Sequence, residues 1–376
     1  MLNCSWFYAF LNEQGINFFT GVPDSLLKDF CAFLEEQAPR ERHIIAANEG
    51  NALALAAGHY LASGEPGLVY MQNSGLGNAV NPLTSLVDPL VYSIPALLLI
   101  GWRGEPGVKD EPQHLKQGRI TLELLETLGV KHALLPRDAA AAGELLGRAA
   151  ARMKERREPF ALVVSRGTFE PYARKNDPAS PYEMAREEAV QRVLSSLGPT
   201  DIVVSTTGGT SREVFEFRAA ANEGHQRDFL TVGSMGHASQ IALGIALARP
   251  QRQVYCLDGD GALIMHMGSL AVIGRSSPPN LKHILLNNGA HDSVGGQPTA
   301  ALNLDIPAIA RACGYRKALH AAGREELNGA LEELVNSPGP AFLEVMVRKG
   351  SRKDLGRPTT TPVENKRAFM QYIAGR

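Results

Sequence analysis

The chain has 376 residues, 44% apolar and 20% charged. This is an ordinary globular balance that excludes extensive disorder and suffices for two domains of about 180 residues each. A formal net charge of -1 supplies no overall positive field for nucleic acid or an anionic membrane, so any anion site must be local.

Along the chain, short apolar runs rich in β-formers alternate with amphipathic stretches, the pattern of parallel strands joined by helical crossovers. Met1 to Phe10 has neither the basic start nor the small-residue cleavage pattern of a targeting peptide. Cys4, Cys31, Cys256 and Cys313 are widely spaced with no C-x-x-C pair, which points to reduced thiols in a cytoplasmic protein. Strands are expected at Asn17 to Thr20, Gly67 to Gln72, Ala96 to Ile100 and Phe160 to Ser165. Helices are expected near Asp24 to Glu36, Glu49 to Ala62 and Leu115 to Leu128. The apolar stretch Leu86 to Ile100 contains Asp88, Pro89 and Pro95, so it reads as helix end, loop and buried strand, not a bilayer span.

Breaker residues Pro171, Asn176, Asp177, Pro178, Ser180 and Pro181 mark a linker. The expected organisation is α/β, with two doubly wound parallel-sheet domains at residues 1–168 and 185–376 and the linker at 169–184. Second-half strands are expected at Ile202 to Ser205, Val254 to Asp258, Ile284 to Asn287 and Phe342 to Val347. The halves share a rhythm without repeated residues, which implies architectural rather than sequence duplication. Ser351 to Pro362 reads as an exposed strap leading to a final helix.

The run Val254 to Asp258 ends at Gly259-Asp260-Gly261, and a helix is expected over Ala262 to Gly274. Strand, glycine turn and helix N-terminus bring backbone N–H groups to phosphate oxygens. Asp260 adds a hard carboxylate ligand for a divalent cation. Asn287-Asn288 ends a second apolar run after 25 residues, positions 262 to 286, enough for one crossover helix. Each part alone is an ordinary turn. Both at the ends of expected neighbouring strands make a diphosphate and metal site the better reading.

Together the two parts resemble the signature of the thiamine diphosphate enzyme superfamily. The resemblance implies that Asp260, Asn288 and the Ala290 carbonyl hold the cation, Mg²⁺ by default, with Gly259, Gly261 and Ala262 against the diphosphate. Asn48-Glu49-Gly50-Asn51-Ala52 resembles the superfamily's pyrimidine-contacting segment, making Glu49 the proton-sharing carboxylate; alone, Glu49 would read as a first-turn helix residue. Gly233-Ser234-Met235-Gly236-His237 resembles the segment whose apolar side chain wedges beneath the cofactor, which assigns Met235; a core methionine is the plain alternative. Thr210 and Ser211 match a further diphosphate-contacting turn. The superfamily also implies a homo-oligomer, at least a dimer, in which Glu49 of one subunit faces Asp260 of another. The linker leaves no room for the third domain of many related decarboxylases.

Three further runs bear on the substrate. They are Gly21-Val22-Pro23-Asp24-Ser25-Leu26-Leu27-Lys28, Gly101 to Gly107 followed by Asp110 to His114, and Asn288 to Gln297. With these runs the resemblance, over nearly the whole chain, is to the family of decarboxylases acting on phosphonopyruvate. It implies formation of phosphonoacetaldehyde and carbon dioxide in the biosynthesis of carbon–phosphorus natural products, antibiotics among them. Catalytic candidates are Glu49, Asp24, Ser25 and His114, although Asp24 or Ser25 would equally cap the helix that follows. Arg103, Lys109 and His291 are the leading candidates for the phosphonate, with Lys28 and Arg119 behind them, and Arg103 offers a bidentate fork. Gln113 stands where pyruvate-type relatives carry the first of paired histidines, and Val294 where they carry an acid. Their acid–base scheme therefore does not transfer. A sulfopyruvate decarboxylase is the nearest rival, followed by a carboligase and a non-catalytic cofactor-binding protein.

Overall fold

The computed structural model describes residues 1–175 and 180–375. The chain divides into two compact units, Met1–Asp177 and Pro178–Arg376. In the first, strands β1 (Phe19–Gly21), β2 (His43–Ile45), β3 (Gly67–Gln72), β4 (Ala96–Gly101), β5 (Lys131–Leu134) and β6 (Phe160–Val164) form a parallel sheet of order 2-1-3-4-6-5. Helices α1 (Cys4–Glu13), α2 (Lys28–Gln37), α3 (Glu49–Ser63), α4 (Leu76–Ser85), α5 (Pro112–Thr127) and α6 (Ala139–Arg156) accompany it.

In the second unit, helices α7 (Arg186–Ser195), α8 (Gly209–Ala220) and α9 (Ala238–Ala248) alternate with strands β7 (Ile202–Ser205), β8 (Asp228–Leu230) and β9 (Val254–Gly259). Next come α10 (Asp260–Met265), α11 (Ser269–Ser276), β10 (Leu281–Asn287) and a small hairpin of β11 (Ala290–His291) and β12 (Gln297–Pro298). The chain continues through α12 (Ile306–Ala312), β13 (Lys317–Ala321), α13 (Arg324–Asn336), β14 (Ala341–Met346) and α14 (Pro362–Ile373). The parallel order is β13-β14-β10-β9-β7-β8. Counted within the unit from the opposite edge, this is again 2-1-3-4-6-5, so the implied architectural duplication is real.

The interior strands are buried along nearly their whole length and mostly apolar, because both sheet faces are covered. In β3, Leu68 and Tyr70 join the core cluster on one face while Val69 and Met71 join the cluster on the other, the two-residue alternation of a strand. In β9, Tyr255 and Leu257 likewise face one core and Val254 and Cys256 the other.

Two local expectations are corrected. The helix expected from Asp24 begins at Lys28; Asp24 closes a turn instead, accepting the Leu26 N–H at 2.8 Å. The helix expected over Ala262 to Gly274 is two helices, because His266 leaves the helical region and Gly268 starts the second. Within the segment 169–184, Phe169 bridges to Leu2, Tyr172 donates to Glu36 at 2.7 Å, and Met184 lies in the second core. Residues 176–179 of that segment lie outside the described residues. All four cysteines are unpaired, and among the described residues no helix is long and apolar enough to cross a membrane.

Candidate active site

In a sheet of this order the crevice lies beyond the carboxyl ends of the strands where the winding reverses, between β1 and β3 in the first unit. Asp24 sits there, fully buried three residues past β1, with Gln72 Nε2 at the end of β3 donating to its Oδ1 at 2.9 Å. Burial raises the Asp24 pKa against its hydrogen bonds and the nearby Arg103 charge. At the end of β4, Gly101 admits it: a Cβ there would lie 2.1 Å from Asp24 Oδ2.

Arg103, two residues later, donates from Nε to Asp110 Oδ2 at 2.8 Å, pairs through Nη2 with Oδ1, and donates from Nη1 to Ser25 Oγ at 2.9 Å. The bidentate fork expected for a phosphonate is thus already filled by Asp110, leaving the Nη1 end beside Ser25. Burial would raise the Asp110 pKa, but Arg103 and the Gly104 N–H outweigh it and hold the carboxyl at about 2. His114, in the first turn of α5, has a buried Nδ1 without a hydrogen-bond partner. Burial, with the Arg103 charge adding, pushes its pKa down to about 4. Lys109, Lys28 and Arg119 are exposed.

Glu49 opens α3 under an Asn48 side-chain cap and is only 5% exposed. Asn78 Nδ2 donates to its Oε2 at 2.7 Å. A Cβ on Gly75 would lie 2.3 Å from Oε1, so glycine is what lets the carboxyl occupy this place. Burial raises the Glu49 pKa despite the Asn78 bond. This is a carboxyl suited to sharing a proton with a bound heterocycle.

In the second unit β9 and β10 are parallel neighbours with Leu286 opposite Gly259, so Asp260 and Asn287 emerge side by side. Thr299 ties the two segments together: its hydroxyl donates to Asp260 Oδ2, and its N–H donates to the Gly289 carbonyl at 2.9 Å. Burial lifts the Asp260 pKa to about 6 against these hydrogen bonds. Asn287 is turned inward, donating to Glu344 at 2.8 Å. Asn288 accepts the Ala290 N–H at 3.0 Å.

Gly261 lies under two side chains of the site. A Cβ there would stand 2.9 Å from His291 Nδ1 and 3.3 Å from Met235 Cε. Met235 therefore reaches the Gly259-Asp260-Gly261 turn, and Ala262 is buried beside it. His291 belongs to this second-unit group, whereas Arg103 and Lys109 belong to the first unit; burial pushes its pKa down to about 4. Thr210 and Ser211 begin α8, but the Ser211 hydroxyl bonds Ser205 and the Thr206 and Thr231 carbonyls, leaving only its backbone for a ligand.

These residues fit a cation-bound diphosphate. A buried carboxyl, an amide oxygen and a backbone carbonyl form a hard-oxygen donor set beside the side-chain-free Gly261 backbone. Gln72, Gly75, Asn78 and Thr299 shape these groups and lie outside the residues singled out from the sequence, whereas Gly101 and Asp110 lie inside a run read there without a role for either. The polar Gln72-Asn73-Ser74-Gly75 run after an apolar strand was a usable signal for the first two. A separate buried group, Cys256, Asp258 and His283, brings its ligand atoms within 4.8 Å of one another, but His283 already bonds Tyr315 and Asp258.

Residues 4–125 match the family model for the N-terminal TPP binding domain of thiamine pyrophosphate enzymes, and residues 206–345 match that for the C-terminal TPP binding domain. Over 99% of its length the chain is 37% identical to a phosphonopyruvate decarboxylase of Streptomyces viridochromogenes, covering 95% of that protein. The chain belongs to the thiamine pyrophosphate enzyme family. A phosphonopyruvate decarboxylase of Streptomyces hygroscopicus, in the same family, is 38% identical over 99% of this chain and 94% of its own. A sulfopyruvate decarboxylase of Methanosarcina acetivorans is 28% identical over 96% of this chain and 95% of its own. The two family domains fall one in each unit and supply thiamine pyrophosphate as the cofactor.

Proposed function

We propose that the chain is a thiamine diphosphate- and divalent-cation-dependent decarboxylase converting 3-phosphonopyruvate to phosphonoacetaldehyde and carbon dioxide. The observation that carries this reading is 37–38% identity, end to end, with two proteins of that name, against 28% for a sulfopyruvate decarboxylase. When bound, the cofactor supplies a nucleophilic carbon for the 2-oxo carbonyl and a sink for the electrons left by carbon dioxide.

The chain's own residues hold the reactants and the protons. Glu49 keeps a proton at the pyrimidine, which its raised pKa favours. Asp260, Asn288 and the Ala290 carbonyl hold the cation; Gly259, Gly261, Ala262, Thr210 and the Ser211 backbone line the diphosphate, and Met235 supports the bent cofactor. Asp24, which burial keeps protonated to a higher pH than an ordinary carboxyl, is the proton donor best placed in the first unit to replace the lost carboxylate. Arg103 Nη1, Ser25 and His114, neutral near pH 7, offer donors to the phosphonate, with Lys109 and His291 as further contacts.

The assembly proposed is a homo-oligomer, at least a dimer, with Glu49 and Asp260 of different copies completing each site. An apolar groove beside the Glu49 helix, lined in part by Phe18, Ile44 and Leu55, supports a covered face there. A cytoplasmic location and a place in phosphonate antibiotic biosynthesis belong to the same proposal. Comparing aldehyde formation from phosphonopyruvate and sulfopyruvate tests the reading: preference for phosphonopyruvate is expected, and preference for sulfopyruvate overturns it.

A further inference from the structure

Four residues, each at least 27 positions from the next, meet beside Asn288, and only Asp292 among them lies in a run singled out from the sequence. Asp292 Oδ2 accepts from Asn288 Nδ2 at 2.7 Å and from the Gly350 N–H at 2.9 Å, and lies 3.6 Å from Arg186 Nη1. The other face of the Arg186 guanidinium is forked on Glu213, with Nε to Oε2 at 2.9 Å and Nη2 to Oε1 at 3.0 Å. Glu213 belongs to the first turns of α8, and the absent Gly209 side chain makes room for the fork, since a Cβ there would lie 2.1 Å from Nη2. The group is enclosed: the side chains of Glu213, Arg186 and Asp292 are 1%, 11% and 15% exposed.

An ionised carboxylate only accepts hydrogen bonds. The atom that Asn288 turns to Asp292 is therefore its nitrogen, and its oxygen is the end left for a cation. That oxygen takes one bond from the Ala290 N–H and keeps a second lone pair. A carboxamide with no such partner rotates readily between its oxygen and nitrogen ends.

We infer that Asp292, anchored by Arg186 and by the Gly350 N–H, is a positioning residue that fixes Asn288 with its oxygen as the ligand end. Arg186 thereby couples the metal loop to the Gly208–Ser211 turn, and Gly350 adds the start of the C-terminal strap. The inference rests on the proposed reading of Asn288 as a cation ligand, and second partners of this kind typically change metal affinity 10- to 100-fold (about that range) when removed.

The test is calorimetry of thiamine diphosphate binding to the full chain at a series of Mg²⁺ and of Ca²⁺ concentrations, for wild type, D292A, D292N, R186K and N288A. Mg²⁺ demands near-ideal octahedral geometry and Ca²⁺ tolerates a looser one. In D292A the Mg²⁺ requirement rises by roughly 10- to 100-fold and the Ca²⁺ requirement by less. D292N, whose amide oxygen still accepts from Asn288, recovers part of the loss, and R186K, which cannot fork and pair at once, shows a smaller rise of the same sign. Equal losses for the two cations mark a merely structural role and overturn the inference, as does a D292A affinity within twofold of wild type while N288A is weakened. Unchanged Mg²⁺ affinity in N288A overturns the ligand reading itself, and with it the inference. Should D292A fail to fold, D292N and R186K decide by the same Mg²⁺-to-Ca²⁺ comparison.

Discussion

Replacing Glu49 by Gln removes the carboxyl proton while keeping the shape of the side chain. Asn78 Nδ2 at 2.7 Å can donate to the Gln oxygen as it does to Glu49 Oε2, and the space above Gly75 admits an amide as it does a carboxyl. The fold should therefore survive, and cofactor affinity should fall by no more than about tenfold, roughly 1.4 kcal/mol. Turnover behaves differently. Loss of a positioned proton-transfer group typically costs about 10²- to 10⁴-fold, or about 3–5 kcal/mol of barrier. Burial raises the Glu49 pKa, so the group keeps its proton to a higher pH than an ordinary carboxyl, and the loss should lie toward the upper end. Steady-state aldehyde formation gives kcat, and calorimetry gives cofactor affinity on the same preparation. A kcat within threefold of wild type with normal cofactor binding would refute the assignment of Glu49 as the proton-sharing residue.

Further outcomes follow from single contacts. Gly101→Ala forces its methyl onto Asp24 Oδ2, 2.1 Å from the position a Cβ would take; stability should fall by about 1–3 kcal/mol and turnover by more than tenfold, read by urea unfolding and initial rates. Asp260→Ala should weaken Mg²⁺-dependent cofactor binding on the order of 100-fold, and a cofactor affinity that still responds normally to Mg²⁺ would contradict its role. His43 is half-buried with its ring 3.0 Å from the Tyr70 hydroxyl, and desolvation lowers its pKa from 6.5 to about 4. Its contribution is present above pH 6.5 and is lost as the pH falls toward 4, because the unfolded chain binds the proton first. By pH 5 the loss is about 2 kcal/mol, so His43→Phe should flatten the dependence of unfolding free energy on pH between 7 and 5, and an unchanged slope would contradict it.

The interior of each sheet was legible because buried strands must be apolar on both faces. The expected strands are β1, β3, β4 and β6 in the first unit and β7, β9, β10 and β14 in the second, which are the four inner strands of each sheet. The sheet strands that escaped notice, β2, β5, β8 and β13, are the edges; they are short, and all carry exposed or half-exposed residues, as in Lys131–Leu134. Site residues followed a similar divide. Asp260, Asn288 and Glu49 stand at strand ends or helix starts, where local pattern exposes them.

Their partners do not announce themselves. Thr299 reaches Asp260 across 39 positions, and Arg186, at the start of α7, meets Asp292 only in the folded chain. Asp110 was hidden for another reason. Charge counting made Arg103 a candidate anion receptor, but seven positions away lay the carboxylate that fills its fork. An arginine's charge can be read from sequence, whereas its occupied donors can be read only from the folded chain.

The most direct measurement is carbon dioxide release from phosphonopyruvate by the purified full chain, with and without thiamine diphosphate and Mg²⁺. Release that requires both, and that accompanies equimolar aldehyde, is the predicted result. No release with both present, or release at the same rate after both are removed, would contradict the account.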